Sequence, residues 1–279
     1  MRMFAAISIL FFVPDFYTSV VNSQETKLTA TNNVVVSIAM EAEAAPLIQK
    51  LGLEKNDGVF PSQVPFEAYS GTICNDGTKI TVVTNGKDSV YNTGVDNVGT
   101  VPAALATFLV LNNIPDADIL INAGTCGGFG RKGAEIGDVF LTTEVVNHDR
   151  RIPIPPFIPY GIGKLKDENI DVTKLAAQHS FKTGICTTGN SLDATPEDRK
   201  LMLDNDASVK DMEAAAIAWS CKLHDTPFLG VKVVTDIVDG DVPTQDEFMQ
   251  NLSTAANSLQ SAVPKILESL CSKENHTEL

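Results

Sequence analysis

The chain has 279 residues, 43% of them hydrophobic, enough to bury the core of one large α/β domain. Its 35 acidic residues against 21 basic ones give a formal charge of −14 at pH 7, which repels phosphate backbones and anionic lipid and excludes nucleic acid and membrane surfaces as expected partners. Four histidines without metal-pair spacing, and five scattered cysteines (Cys74, Cys126, Cys186, Cys221 and Cys271) without a CxxC pair, speak against a zinc or redox centre; no metal or cofactor is expected, and the cysteines read mostly as buried thiols.

Arg2, an apolar run over residues 3–13, and the small residues Val21 and Ser23 predict a signal peptide over 1–23, followed by a linker over 24–32. The run is short for a membrane span. Secretory localisation is the first expectation and a cytoplasmic location the alternative; Asn251 and Asn275 begin N-x-S/T sequons usable only in a secreted chain. Residues 34–39 (VVVSIA) form a continuous apolar, β-branched run of the kind buried inside a sheet. A helix is predicted over 41–51, and further strands over 79–84, 118–123, 138–143 and 228–235. Pro102 stands where a helix reaching residue 111 would begin, a position that tolerates proline. Two more helices are expected over 213–223 and 244–270, the latter kinked or divided at Pro264. The proline-rich stretch 152–163 (IPIPPFIPYGIG) reads as a loop, neither regular helix nor central strand. The alternation predicts an α/β three-layer sandwich, a central mixed, mostly parallel sheet flanked by helices, as one domain over 33–271 with a tail over 272–279.

Ligands of such sheets gather where strands end and loops begin. Three strand ends carry candidate chemistry: MEAE with Glu41 and Glu43, GTCGG after residue 123, and Thr235 with Asp236. Gly124, Gly127 and Gly128 allow close backbone approach and Thr125 offers a hydroxyl and an amide, either to a ligand or within a tight strand-to-loop turn. Their spacing is not GxGxxG, against a dinucleotide site. In KDMEAAAIAW, Asp211 and Glu213 either cap a helix or, for Glu213, accept hydrogen bonds from a ribose diol. Asp236 either caps the next turn or is a general acid whose pKa burial raises. Asp239 and Asp241 read as a solvated turn.

Taken together, IAMEAEAAPLI, INAGTCGGF followed by KGAEIGDVFL, HDRRIPIPPF, KDMEAAAIAW and VVTDIVDGDVPTQDEFMQNL resemble the 5'-methylthioadenosine/S-adenosylhomocysteine nucleosidases, above all their plant-type branch, in order and register over roughly 34–270. The resemblance implies a nucleoside phosphorylase-like fold and hydrolysis of the N-glycosidic bond of 5'-methylthioadenosine in methionine salvage, with S-adenosylhomocysteine as a further substrate the sequence does not decide. It implies that Glu43 activates the attacking water, Glu213 holds the ribose hydroxyls and Asp236 protonates adenine N7. Met212 and Thr125 would lie by the ribose. Leu192 and the backbone around Asp193, in TGNSLD, would recognise adenine, and Phe157 and Tyr160 would contact the alkylthio group; Met40 and Thr235 complete the expected binding set. A homodimer follows from the resemblance alone. Asn190 stands where relatives carry an aspartate. Two rival readings use the same scaffold: a phosphorylase, which needs a cationic phosphate site where this chain has Glu41 and Glu43, and a non-catalytic storage protein, which has no need of the three acids.

Overall fold

The computed structural model describes residues 31–271; the predicted signal peptide, most of the linker, the tail over 272–279 and the Asn275 sequon lie outside the described residues. In chain order the elements are β1 (Asn33–Ile38), α1 (Glu41–Leu51), β2 (Glu54–Lys55), β3 (Glu67–Ile73), β4 (Thr78–Thr84), α2 (Thr100–Asn113), β5 (Ile119–Gly128), β6 (Val139–Asn147), α3 (Ile158–Ile162), α4 (Val172–His179), β7 (Lys182–Thr188), α5 (Pro196–Asp204), β8 (Val209–Asp211), α6 (Ala214–Leu223), β9 (Phe228–Ile237) and α7 (Thr244–Cys271).

The strands form one mixed sheet in the order β2-β3-β4-β1-β5-β8-β7-β6-β9, and β5 also pairs with β9, so that β5, β8, β7, β6 and β9 close into a ring. Parallel pairing joins β1 to β4 and β5, β5 to β9, β6 to β7 and β7 to β8. The period-two geometry of β1 explains its unbroken apolar run. Val34, Val36 and Ile38 pack with Leu47 of α1 and with Leu259, Val263 and Ile266 of α7. Val35 packs on the opposite layer with Ala103 and Val110 of α2 and Ile217 of α6. Helices thus cover both faces.

The structure lengthens and corrects several sequence expectations. β5 continues through Gly128 and β6 through Asn147, so the glycine cluster lies in a strand rather than in a turn after one. β3, β7 and β8 escape a hydrophobic reading because EAYSGTI, KTGICTT and VKD are short or polar. Within the proline-rich stretch, one 3-10 turn (Pro155–Phe157) leads into the short α3; Pro159 sits in its first turn, where a missing N–H costs nothing. α7 is a single element through Pro264, not two helices. Among the described residues no helix is long and apolar enough to cross a membrane.

Three cysteines, Cys126, Cys186 and Cys221, are buried thiols as expected, but Cys74 and Cys271 form a disulfide. That pairing corrects the reading of the cysteines: residues 197 apart in sequence meet because α7 returns over the sheet to the β3–β4 hairpin, a neighbourhood no spacing rule reveals. The loop it closes is long, so the constraint on the unfolded chain is large. Reduction, or Cys74→Ser, is expected to lower the unfolding free energy by about 2–4 kcal/mol in urea titrations with and without reductant; coincident curves would show that the bond contributes nothing.

Candidate active site

A cavity of about 250 Å³ opens at the C-terminal ends of β1, β5 and β9, beside β8 and the start of α6. Glu43 reaches it from the first turn of α1. One of its carboxylate oxygens accepts from the Thr125 amide (2.8 Å) and hydroxyl (2.6 Å), the other from the Met40 amide (3.4 Å). The helix start therefore fixes the carboxylate against β5. Glu43 is 2% exposed; burial pushes its pKa up, partly offset by the Thr125 hydrogen bonds and the charge of Lys232.

Asp236 is aimed by an irregularity in β9. Cys126 pairs with Val234 but Gly127 pairs with Asp236, so Thr235 is an extra residue in the ladder, a bulge of the kind that redirects side chains beside active sites. The Thr235 hydroxyl lies 2.8 Å from one Asp236 carboxylate oxygen and 3.1 Å from the Cys126 carbonyl. Gly127 makes room: a Cβ there would stand 2.7 Å from the other Asp236 oxygen, which only a glycine avoids. Burial raises the pKa of Asp236, against the lowering influence of the Thr235 hydrogen bond and of Lys210.

Glu213 is the residue before the first turn of α6, yet its side chain does not cap that helix. It accepts instead from the Gly99 amide (2.8 Å) at the start of α2. Capping falls to Asp211, which accepts from the Ala214 amide (2.8 Å), from the Thr188 hydroxyl (2.6 Å) and from Lys232 Nζ (2.8 Å). Lys232, 1% exposed in the middle of β9, thus supplies a buried positive charge under the acidic cluster. Burial works against that ammonium, but Asp211, with Cys186 and Glu213 behind it, outweighs it and holds its pKa high; the same pairing holds Asp211 below the usual carboxylate range despite burial. For Glu213, burial and the charge of Asp211 prevail and push the pKa up to about 7.

The cavity brings together Met40, Glu43, Thr125, Leu192, Met212, Glu213, Thr235 and Asp236, all expected from the sequence. Asp193, Phe157 and Tyr160 are not among the lining residues. Phe157 and Tyr160 stand on the exposed proline-rich segment, edge to face with each other, with Arg150 over the Tyr160 ring. Glu41 turns outward to Lys87 (3.0 Å). Sequence reasoning named Asp211 as a helix cap, which it is, but missed its ion pair and missed Lys210 and Lys232, along with the apolar Val98 and Phe248; a lysine inside the apolar run FLGVKVVTD was the available signal, since buried ammonium groups demand a counter-charge. Asn190 accepts from the Thr100 amide and hydroxyl (2.9 Å each) and donates its amide to Asp149 (2.7 Å), so it serves as a brace for the loop. The Asn251 side chain donates to the Thr235 carbonyl (2.9 Å), a structural use of that sequon residue. The one potential metal-ligand group among the described residues is Cys74, Asp76 and Cys271, whose sulfurs are committed to the disulfide.

Residues 33–268 match the family model of the phosphorylase superfamily. The chain is 44% identical over 248 residues, 88% of its length and 90% of the other's, to a 5'-methylthioadenosine nucleosidase of Arabidopsis thaliana. It superposes on the apo structure of an Arabidopsis thaliana 5'-methylthioadenosine nucleosidase with a TM-score of 0.82 and 42% identity, over 90% of this chain and all of that one. A 5'-methylthioadenosine/S-adenosylhomocysteine nucleosidase from Neisseria meningitidis, in complex with methylthio-immucillin-A, is similar at 27% identity with a TM-score of 0.69, over 86% of this chain and all of that one.

The raised pKa of Glu213 has a consequence for stability. Because its folded pKa of about 7 lies above the ordinary 4.5, the group favours the fold below pH 4.5 and loses that contribution as pH rises through 7. Glu213→Gln, which keeps an acceptor for Gly99, is expected to match the wild type at pH 4.5 and to unfold about 2–4 °C higher at pH 8 by calorimetry; a variant no more stable than the wild type at pH 8 would contradict it.

Proposed function

The chain belongs to the phosphorylase superfamily and, within it, to the 5'-methylthioadenosine/S-adenosylhomocysteine nucleosidases, and from that membership and the site we propose that it hydrolyses the N-glycosidic bond of 5'-methylthioadenosine, releasing adenine and the 5-methylthio sugar. The observation that carries this is the charge inventory of the cavity. Three carboxylates, Glu43, Glu213 and Asp236, line it with raised pKa values. Its two lysines are already engaged, Lys232 by Asp211 and Lys210 by the carbonyls of Ser191 and Leu192. A phosphorolytic site needs a cation committed to phosphate; this one suits water.

Each group then has a role its environment supports. Departure of the base places oxocarbenium charge on the sugar and negative charge on the purine. Asp236, whose pKa burial raises, gives a proton to adenine N7 as the C1'–N9 bond breaks. Glu43 takes a proton from the water whose oxygen bonds to C1', and Glu213 accepts hydrogen bonds from the ribose hydroxyls. The apolar side chains of Val98 and Phe248 fit a methylthio group better than a charged amino-acid tail, which favours 5'-methylthioadenosine over S-adenosylhomocysteine.

The proposal extends to assembly and location. Tyr91, Val101, Leu105, Phe108 and Trp219, on α2, α6 and the segment before α2, are exposed together with Val95, and apolar surface of this extent suits burial in a homodimer. The Cys74–Cys271 disulfide suits an oxidising compartment and supports export directed by residues 1–23. Sedimentation at twice the chain mass, and an N-terminus beginning after residue 23 in protein recovered from expressing cells, are the expected results; a monomer retaining Met1 would count against both.

The catalytic roles are tested by substitution. Glu43→Gln and Asp236→Asn are each expected to lower kcat for adenine release by about 10²–10⁴ with folding intact, whereas Glu213→Gln raises KM as well. The activity should rise with pH as Glu43 loses its proton and fall as Asp236 loses its own. Because both pKa values are raised, both limbs should stand above the ordinary values of 4.5 and 3.8. Wild-type release by Asp236→Asn would remove the general acid from the mechanism.

A further inference from the structure

Lys210 is a buried cation to which the chemistry above gives no part. It stands on β8, is 6% exposed and lines the cavity. Its ammonium donates to the carbonyls of Ser191 (2.8 Å) and Leu192 (2.7 Å), the centre of the segment that carries Leu192 into the cavity. That segment has few other ties. Asn190 braces its beginning against Thr100 and Asp149, and Thr195 ends it by capping α5; between them the two carbonyls are held by Lys210.

The ladder also sets Lys210 beside the acid. Gly127 of β5 is the register partner of Lys210 on one side and of Asp236 on the other, so the two side chains flank one glycine from neighbouring strands. Residues in register on adjacent strands project from the same face, and Gly127 has no side chain to separate them.

We propose that Lys210 is a positioning residue that couples base recognition to base protonation: one ammonium fixes the Ser191–Leu192 backbone against the purine and keeps a positive charge across Gly127 from Asp236. This rests on the reading of the site as an adenine nucleosidase with Asp236 as its acid. A lysine suits the task because its compact ammonium carries its donors on a flexible stem and so meets both carbonyls at once. The charges acting on Asp236 are Lys210 from β8 and Glu247 from α7. Those acting on Lys210 are Asp236, Asp211, Asp193 and Asp198, with the buried His148 also within its field. Burial lowers the pKa of Lys210 and the surrounding aspartates counter it; Lys210 in turn holds Asp236 below the value burial alone would give.

The test uses the full chain with 5'-methylthioadenosine as substrate and adenine as product inhibitor. Lys210→Met is expected to weaken adenine inhibition and raise KM by about tenfold, equivalent to about 1.4 kcal/mol. It should also move the alkaline limb of the rate profile to higher pH by about 0.5–1 unit, because Asp236 loses the positive charge that lowers its pKa and holds its proton longer. Lys210→Arg, which keeps charge and donors, should restore both readouts most of the way. Should Lys210→Met not fold, Lys210→Gln carries the comparison, with the charge lost and a shorter donor retained. An unchanged adenine inhibition constant and an unchanged alkaline limb in a folded neutral variant would overturn the inference and leave Lys210 a merely structural group. A wild type that neither releases nor binds adenine would instead overturn the functional reading on which it rests.

Discussion

Lys232 and Asp211 meet at 2.8 Å with side chains 1% and 0% exposed, and the site is organised around that ion pair. Taking two charges out of water costs several kcal/mol each, and only close geometry with further hydrogen bonds recovers it. Asp211 has both: the Thr188 hydroxyl and the Ala214 amide complete its acceptors. The pair therefore locks β9 to the end of β8 and to the first turn of α6, which fixes where Glu213 begins. It also places positive charge beneath Glu43 and Glu213, which lowers the pKa of each against burial but does not return Glu213 to ordinary acidity. Removing either partner would leave a lone buried charge, at a cost of about 3–5 kcal/mol.

The other devices of the site depend on that frame. A single extra residue at Thr235 turns the end of β9, and the missing side chain of Gly127 accepts the carboxylate it redirects. Glu43 comes from a different strand end and is tied to β5 by Thr125. Asp236, Glu43 and Glu213, proposed as the acid at the purine, the base for water and the clamp on the ribose, thus arrive on separate elements, and burial raises the pKa of each. Superfamily scaffolds serve more than one reaction; here the first turn of α1, just after β1, offers Glu43 where an anion would need a cation, and the lysines nearby are engaged by Asp211 and by the Ser191 and Leu192 carbonyls.

Much of this was legible in the sequence. The apolar runs of β1, β5 and β9 announced central strands, and the matched segments identified Glu43, Glu213 and Asp236, which capping and turn explanations alone could not distinguish. The structure brings them to one cavity. What escaped depends on long-range pairing. β7 and β8 carry too few apolar residues to be read alone, yet they close the ring, deliver Lys210 and bring Asp211, read from the sequence only as a helix cap, against Lys232. The Cys74–Cys271 bond joins segments 197 residues apart, and the bulge at Thr235 has no local signature. Phe157 and Tyr160 were assigned to the ligand by resemblance, whereas they lie outside the cavity lining of the chain, on a segment whose proline pattern disguised a short helix.

The measurement that bears most directly on the central claim is product analysis of 5'-methylthioadenosine cleavage in phosphate-free and phosphate-containing buffer. Adenine should appear at the same rate in both, accompanied by the free 5-methylthio sugar and no sugar phosphate. Release that requires phosphate and yields a sugar 1-phosphate, or no adenine in either buffer, would contradict a hydrolase built on Glu43, Glu213 and Asp236.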